Sequence, residues 1–210
     1  MKGTVFAIAL NHQSQLDAWE QAFREAPYKT PPRTPVWFIK PRNTVVTSGA
    51  SIGYPAGEQV QSGGTVALVI GKTARKVSPR QATDCIAGYA LANELSLPET
   101  SFYRPAIQAK CRDGFCPLGE LVTGVDIRDL TIITEINGRQ ADAWSTRDLV
   151  RDAQQVVSAL SEFATLQPGD VILLGTPHQR VTLHPGDQVR IMAAGFPVLE
   201  NTLIAQGATS

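Results

Sequence analysis

The segment Leu160–Pro177, which reads LSEFATLQPGDVILLGTP, constrains the fold more than any other part of the chain. Its first residues, through Leu160 and Phe163, are predicted to close a helix, and Pro168-Gly169-Asp170 is typical of a tight turn. The apolar run at 171–174 then predicts a buried strand that ends in Gly-Thr-Pro. Such a tip presents a hydroxyl and a backbone N–H, which suits an anionic ligand because glycine allows close approach. The same segment could also be ordinary scaffolding.

The composition is that of a globular protein with balanced charge. Its 210 residues are 43% hydrophobic and 18% charged, which allows one large domain with a sizeable core. Nineteen acidic residues balance 19 basic ones, and the zero net charge argues against nucleic acid or an anionic membrane as a partner. The early apolar run Thr4–Leu10 is too short for a signal peptide or a membrane span, so we expect a cytoplasmic protein.

Several apolar runs predict strands. Thr4–Leu10 and Thr65–Ile70 are continuous and apolar, as is typical of strands buried on both faces, and the second is expected at the centre of a sheet. Ile86–Ala92 predicts a further strand, in which Gly88 marks a bulge or a close approach. Thr131–Ile136 is followed by Asn-Gly and therefore predicts a strand that enters a hairpin.

Two amphipathic helices are predicted. Ser14 is expected to open the first, whose apolar stripe ends at Phe23, and Thr146 is expected to cap a longer one that runs to Phe163. Strands outnumber helices, and no interdomain linker or long repeat is evident. We therefore expect one β-dominated α+β domain over residues 1–210.

The sequence lacks the motifs of several large enzyme classes. It has no Gly-x-Ser-x-Gly elbow, phosphate loop or dinucleotide fingerprint, which excludes serine hydrolase, kinase and dehydrogenase interpretations. His12, His178 and His184 have no partner at helical spacing and are expected in surface or loop roles. The three cysteines lack the paired spacing of a structural zinc site, so we expect reduced thiols.

A dense polar segment lies between the apolar runs. Arg104, Lys110 and Arg112 put three cations within ten positions, beside the carboxylate of Asp113. Cations in this density could line a site for a dicarboxylic acid. The alternative is a solvated loop in which an arginine pairs locally with Asp113.

Four segments resemble the fumarylacetoacetate hydrolase family. They are FYRPAIQAKCRDGFCP, IAGYALANE, LSEFATLQPGDVILLGTP and FAIALNHQSQ, and the similarity runs over nearly the whole chain in the family's order. The resemblance implies a mixed β-sandwich roll with a few flanking helices, in a homo- or hetero-oligomer. Within the family, the chain is most similar to the amino-terminal half of members whose two halves are fused or are separate subunits. Because the chain ends soon after Leu199-Glu200-Asn201, we expect the separate first subunit, with a sister subunit of the same family as its partner.

The resemblance also implies a reaction class. The expected substrates are dicarboxylic or tricarboxylic 2-oxo or enol acids, and the expected cofactor is a divalent metal, Mg²⁺ or Mn²⁺. The implied reactions are the loss of CO₂ from 5-oxopent-3-ene-1,2,5-tricarboxylate and a double-bond shift in 2-hydroxyhepta-2,4-diene-1,7-dioate. Both develop negative charge on a dienolate, which a metal chelated by the 2-oxo acid stabilises as a Lewis acid.

Three residues receive roles from the resemblance. Lys110 matches the family's lysine beside the substrate and is the expected catalytic residue. Thr176 matches the hydroxyl that meets the substrate carboxylate, and Arg104 is a candidate for binding a second carboxylate.

The sequence departs from the family at the metal ligands. Catalytic members carry Glu-x-Glu before the strand that ends in Gly-Lys, but Gly63 and Thr65 occupy those two positions here. Glu94 is the sole surviving carboxylate, and one carboxylate is a weak site for Mg²⁺. The histidine of the family's Asn-Tyr-x-x-His element is also replaced, by Gln15.

Two functional hypotheses follow. The chain is either a catalytic isomerase/decarboxylase subunit, with a site of its own or one completed across an interface, or a non-catalytic partner that stabilises a metal-bearing sister subunit. The substitutions at Gly63 and Thr65 favour the second for this chain, while the complex remains the enzyme. A stand-alone acylpyruvate hydrolase is a third hypothesis, which the missing Glu-x-Glu disfavours.

Overall fold

Strands dominate the computed structural model, which describes residues 3–99 and 101–206. The strands in these residues are β1 (Val5–Ala9), β2 (Val36–Lys40), β3 (Val45–Thr47), β4 (Ser51–Tyr54), β5 (Val60–Ser62), β6 (Gly64–Ile70), β7 (Ile86–Asn93), β8 (Cys116–Leu118), β9 (Thr131–Ile136), β10 (Arg139–Ser145), β11 (Val171–Leu173), β12 (Val181–Leu183), β13 (Gln188–Met192) and β14 (Leu199–Ala205). The α-helices are α1 (Gln13–Arg24), α2 (Pro79–Ala82), α3 (Ile107–Lys110) and α4 (Ala153–Ser161). No helix in the described part of the chain is long and apolar enough to cross a membrane.

The strands form two larger sheets of mixed direction. The first has seven strands in the order β2-β1-β11-β6-β7-β8-β3, and the second has five in the order β10-β9-β13-β14-β4. The pairs β1–β11, β3–β8 and β4–β14 are parallel, whereas the other pairs in these two sheets are antiparallel. Strands β6 and β7 of the first sheet contact β9, β13 and β14 of the second. The predicted β-dominated α+β sandwich is confirmed.

The core lies mainly between the two sheets. In β6, Val66, Leu68 and Ile70 face the large core, and the alternating Ala67 and Val69 belong to a smaller cluster on the opposite face. This alternation follows from the period of two along a strand, and it explains why β6 is apolar at every position. The prediction of a central strand buried on both faces is confirmed.

Local turn chemistry also follows the sequence. The Asn137-Gly138 hairpin has positive φ at both residues, 52° and 77°, as a type I′ turn requires. Gly88 makes a close approach, because a Cβ there would lie 2.2 Å from the carbonyl oxygen of Val122. Ser78 and Gln81 form a reciprocal capping box at α2.

The boundary predicted for α4 is wrong. The helix begins at Ala153, where Asp152 and Gln155 form a capping box, whereas Thr146 belongs to a short 3₁₀ turn. The backbone N–H of Val150 donates instead to the carbonyl oxygen of Asn11, which holds the intervening residues out of a helix. Phe163 lies beyond the helix end and is 67% exposed, so it does not extend the apolar stripe.

The start of α1 and the role of His12 also differ from expectation. The helix begins at Gln13, and His12 is its N-cap, since the His12 Nδ1 accepts from the backbone N–H of Ser14. His12 is buried against Trp144 rather than in a surface role. His178 and His184 are exposed, as expected.

Candidate functional site

Glu94 lies directly beyond the end of β7, opposite Gly63. Its backbone N–H donates to the carbonyl oxygen of Gly63 at 2.9 Å, one step past the Gly64–Asn93 pair of the β6–β7 ladder. The Asn93 side-chain oxygen accepts from the Gly63 N–H at 3.0 Å and from the Ser62 hydroxyl at 2.9 Å. These hydrogen bonds at the ends of β6 and β7 therefore hold Glu94 in one position.

The Glu94 carboxylate is buried between two cations. Its Oε1 lies 2.6 Å from the Lys110 Nζ, and its Oε2 lies 2.9 Å from an Arg180 Nη. Arg180 also donates to the Glu94 carbonyl oxygen and to the Thr176 hydroxyl, both at 2.8 Å. One guanidinium thus binds the strand end and the Gly-Thr-Pro turn together.

Lys110 reaches the site from the end of α3. Besides Glu94, its Nζ lies 3.1 Å from the Glu99 Oε2 and 4.9 Å from the ring centre of Phe38. The side chain is only 3% exposed, so most of its contacts are with protein. Two of its three N–H donors are taken by carboxylates.

Lys40 donates a hydrogen bond to the backbone of Lys110. It is buried on the edge strand β2, and its Nζ donates to the carbonyl oxygens of Lys110 and Leu95 at 2.6 and 2.9 Å. Burial lowers the pKa of Lys40 to about 8, against the opposing effect of Glu94.

The cations decide the charge of Glu94. Burial by itself raises the pKa of this carboxyl, but Arg180, Lys110 and Lys40 together lower the pKa to about 2. Glu94 is therefore an anion at neutral pH, and both of its oxygens are already bound.

The turn that carries Thr176 packs tightly. Gly175 has a φ of 104°, a left-handed conformation that favours glycine, and a Cβ there would lie 3.2 Å from the Asn11 Cβ. The Thr65 hydroxyl donates to the Gly175 carbonyl oxygen at 2.5 Å. Thr65 thereby fixes the turn that positions Thr176.

Two cavities of similar size border this cluster. One, of about 480 Å³, is polar and is lined by Arg180 and Glu99 together with Gln15, Gln61 and His178. The other, of about 510 Å³, is lined mainly by apolar side chains, with Lys110 and Arg104 among its polar ones.

The predicted site residues are only partly brought together. Glu94, Lys110 and Thr176 belong to one buried cluster, whereas Arg104 is exposed on the loop beside the apolar cavity. The local arginine–Asp113 pair of the alternative interpretation is absent from the described ion pairs: Arg112 pairs with Glu58, and the Asp113 carboxylate accepts from Asn43.

Arg180 was missed in the sequence. It is separated by three residues from Thr176, outside the motifs that carry the resemblance, and its contacts with Glu94 depend on the fold. The one available signal was Gly63, at a position where the resemblance implies a metal-binding glutamate. Without that ligand a metal is not expected beside Glu94, so another cation has to neutralise its carboxylate.

The residues present do not fit a divalent metal. Gly63 and Thr65 offer no carboxylate, and Glu94 has both oxygens committed to cations. Within residues 3–99 and 101–206, no group of three or more His, Cys, Asp or Glu side chains is placed to hold a metal ion. Mg²⁺ prefers octahedral oxygen coordination, which this cluster does not offer.

The cysteines near the site are free thiols. Cys85, Cys111 and Cys116 form no disulfide in the structure. Burial raises the pKa of Cys116 to about 12, so its thiol is neutral and packs as an apolar group.

Comparison with known proteins identifies relatives along almost the entire chain. A family model described as "Fumarylacetoacetate (FAA) hydrolase C-terminal" matches residues 4–204. The chain is 67% identical over 206 residues to the 4-hydroxyphenylacetate degradation bifunctional isomerase/decarboxylase of Salmonella dublin, covering 98% of this chain and 48% of that protein. The chain therefore spans about half the length of the curated relatives that it matches at high identity.

Solved structures share the fold. The 5-carboxymethyl-2-hydroxymuconate delta-isomerase of Mycobacterium smegmatis aligns with a TM-score of 0.84 and 31% identity, over 98% of this chain and 80% of that one. The 2-hydroxyhepta-2,4-diene-1,7-dioate isomerase of Mycobacterium marinum aligns with a TM-score of 0.83 and 32% identity, over 98% and 75%. The fumarylpyruvate hydrolase of Pseudomonas aeruginosa, solved with Mn²⁺ and pyruvate, aligns with a TM-score of 0.81 over 97% of this chain and 90% of that one; at 22% identity it shows the fold alone.

Proposed function

Because the chain belongs to the fumarylacetoacetate hydrolase family, we propose that it forms one half of a bifunctional isomerase/decarboxylase of 4-hydroxyphenylacetate degradation. The supporting observation is the 67% identity to a protein of that name, over 98% of this chain. The proposed substrates of the assembly are 2-hydroxyhepta-2,4-diene-1,7-dioate and 5-oxopent-3-ene-1,2,5-tricarboxylate. A cytoplasmic location is part of the proposal.

Within this assembly, the proposed role of the chain is that of a non-catalytic partner. The family resemblance implies a divalent metal, but Gly63, Thr65 and the fully paired Glu94 do not fit one. The proposal therefore assigns the metal to a sister half of the same family. This chain would stabilise that half through an interface in a homo- or hetero-oligomer.

A catalytic role for this chain is the second candidate, and the apolar cavity supports it. An acid bound in the 510 Å³ cavity would have Lys110 and Arg104 on its wall, together with Glu99, which Lys110 neutralises. Lys110 would then be the residue beside the substrate, and Arg104 would bind a remote carboxylate. Thr176, the third residue that the resemblance implies, does not line this cavity. Against this role, Thr176 already accepts from Arg180, and Lys110 is held by two carboxylates.

Reconstitution tests the proposal. The chain, the other half of the Salmonella dublin relative, and a mixture of the two are each supplied with Mn²⁺ or Mg²⁺ and the conjugated enol acid. Ultraviolet loss of the conjugated acid measures turnover. We expect activity in the mixture that exceeds the activity of the other half alone, and none in this chain alone.

The possible outcomes are distinct. Metal-dependent turnover by this chain alone would reject the partner role and favour the catalytic one. A mixture with no more activity than the sister half alone would contradict a partner role in this enzyme.

A further inference from the structure

Three oxygen acceptors converge on one guanidinium at the end of β7. The Glu94 Oε2, the Glu94 carbonyl oxygen and the Thr176 hydroxyl all lie 2.8–2.9 Å from the Arg180 Nη atoms. Carboxylate and carbonyl oxygens are also the ligands that hard cations prefer. In this chain the Arg180 guanidinium occupies the point on which these three oxygens converge.

Gly63 makes room for that cation. A Cβ at this position would lie 3.0 Å from the Arg180 Nη1 and 2.9 Å from the Glu94 carbonyl oxygen. A side chain at 63 would therefore require the Arg180 guanidinium and the Glu94 backbone to shift, whereas glycine leaves both in place. The absence of a metal-ligand side chain at position 63 is therefore what leaves space for the Arg180 guanidinium.

Arg180 is the cation in direct contact with the Glu94 oxygen that Lys110 does not bind. Glu94 and Glu99 carry two formal negative charges, and Lys110, which contacts both, supplies one positive charge. Lys40 lies behind Lys110 and donates to carbonyl oxygens rather than to either carboxylate. Without Arg180, the buried Glu94 Oε2 would lose its charged partner, and the Lys110 ammonium, which Glu94 shares with Glu99, would be the one cation left in direct contact with the carboxylate. Breaking a buried ion pair in this way is costly.

We propose that Arg180 is a built-in substitute for the divalent metal of the family, so that this chain keeps the architecture of the site intact without any metal ion. The guanidinium compensates Glu94, ties β7 to the turn of Thr176, and blocks the position where a metal would bind. The inference concerns the chain's own residues, and it goes beyond the proposed function because it does not depend on any assembly or substrate.

The stability of an Arg180 variant with and without metal tests the inference. In the wild-type chain, the Tm is expected to be the same in EDTA and in millimolar Mn²⁺. In Arg180→Ala, the Tm in EDTA is expected to fall by roughly 6–20 °C, because a buried pair is broken. Mn²⁺ is expected to restore little of that loss in this single variant, because Gly63 and Thr65 still offer no carboxylate.

A restored ligand set gives the second measurement. Gly63→Glu, Thr65→Glu and Arg180→Ala are combined, and Mn²⁺ binding is followed by electron paramagnetic resonance without any activity assay. We expect one bound Mn²⁺ per chain in this triple variant. The glutamate pair with Arg180 retained is expected to bind none, because the guanidinium holds the position.

Several results would overturn the inference. Stoichiometric Mn²⁺ binding by the wild-type chain would show that Arg180 does not exclude a metal. A Tm of Arg180→Ala equal to that of the exposed control Arg147→Ala would show that Arg180 compensates nothing. If the variants fail to fold, the wild-type resonance spectrum can still reject the inference, because bound Mn²⁺ there would contradict it. None of these readouts depends on turnover, so they are independent of the proposed function.

Discussion

Glu94 is an anion in a buried position because Arg180 and Lys110 contact its two oxygens and Lys40 adds a third positive charge nearby. The same pairs that lower the pKa of this carboxyl also leave it without a free oxygen for a ligand. At the scale of single residues, the cluster is therefore a network of ion pairs, in which Lys110 and Thr176, the residues to which the resemblance gives roles, already have partners.

The low pKa of Glu94 predicts acid sensitivity. The folded pKa of about 2 lies below the ordinary value of 4.5, so the stabilising contribution is fully present above pH 4.5 and is lost as the pH falls toward 2. The shift corresponds to about 3 kcal/mol. We expect the difference in unfolding free energy between wild type and Glu94→Gln to shrink by about this amount. Urea unfolding at several pH values between 5 and 2 measures it, with the exposed Glu120→Gln as control.

Lys110→Met separates the two candidate roles of the chain. If Lys110 only holds Glu94 and Glu99, the variant should lower the Tm of this chain while the kcat of the reconstituted assembly stays within about twofold. If instead this half contains a working site, the loss of a cation beside the reacting group should lower the kcat by about 100-fold or more. Steady-state kinetics of the assembly, at saturating amounts of the variant chain, measure the difference.

At the scale of elements, the caps decide where helices begin. His12 and Asp152 are the N-caps of α1 and α4, and each is followed by residues with good helical spacing. The sequence pattern predicted both helices. It placed the start of α4 too early, because the backbone of Val150 bonds to Asn11, a residue distant along the chain. The start of α1 differs by one residue, because His12 rather than Ser14 is the cap.

His12 makes the stability of α1 depend on pH. Burial lowers the pKa of His12, although Asp148 and other carboxylates oppose this. A depressed histidine pKa means that stability is fully present above pH 6.5 and is lost as the pH falls below it, because the unfolded state then binds more protons. In His12→Asn, which keeps a capping side chain, that part of the pH dependence should disappear. Chemical unfolding at pH 7.5 and pH 5.5 tests this, and an unchanged pH dependence would reject a buried neutral His12.

At the scale of the whole molecule, the large core joins both sheets. It contains Ile8 near one end of the described chain and Leu203 near the other, with Leu68 of β6 fully buried between them. A core that is continuous over this span supports the prediction of a single domain over residues 1–210, which stays a prediction.

Cooperative unfolding tests the single-domain prediction. We expect one transition in urea, with the same midpoint by far-ultraviolet circular dichroism and by tryptophan fluorescence. Leu68→Ala should move both midpoints together, since it costs about 2–5 kcal/mol in a core shared by the sheets. Two separated transitions, or a shift in one probe alone, would indicate two independent units.

The sequence by itself determined the strand-rich class, the central β6 and the hairpin at Asn137-Gly138, because continuous apolar runs and turn residues act locally. Its motif segments carried the family resemblance. It also located Lys110, Thr176 and Glu94, and the missing carboxylates at Gly63 and Thr65. Only the tertiary structure decided what those residues do together. Arg180 reaches Glu94 across 86 positions, and Lys40 reaches Lys110 across 70. Contacts at such separations depend on how the sheets fold, and no local pattern encodes them.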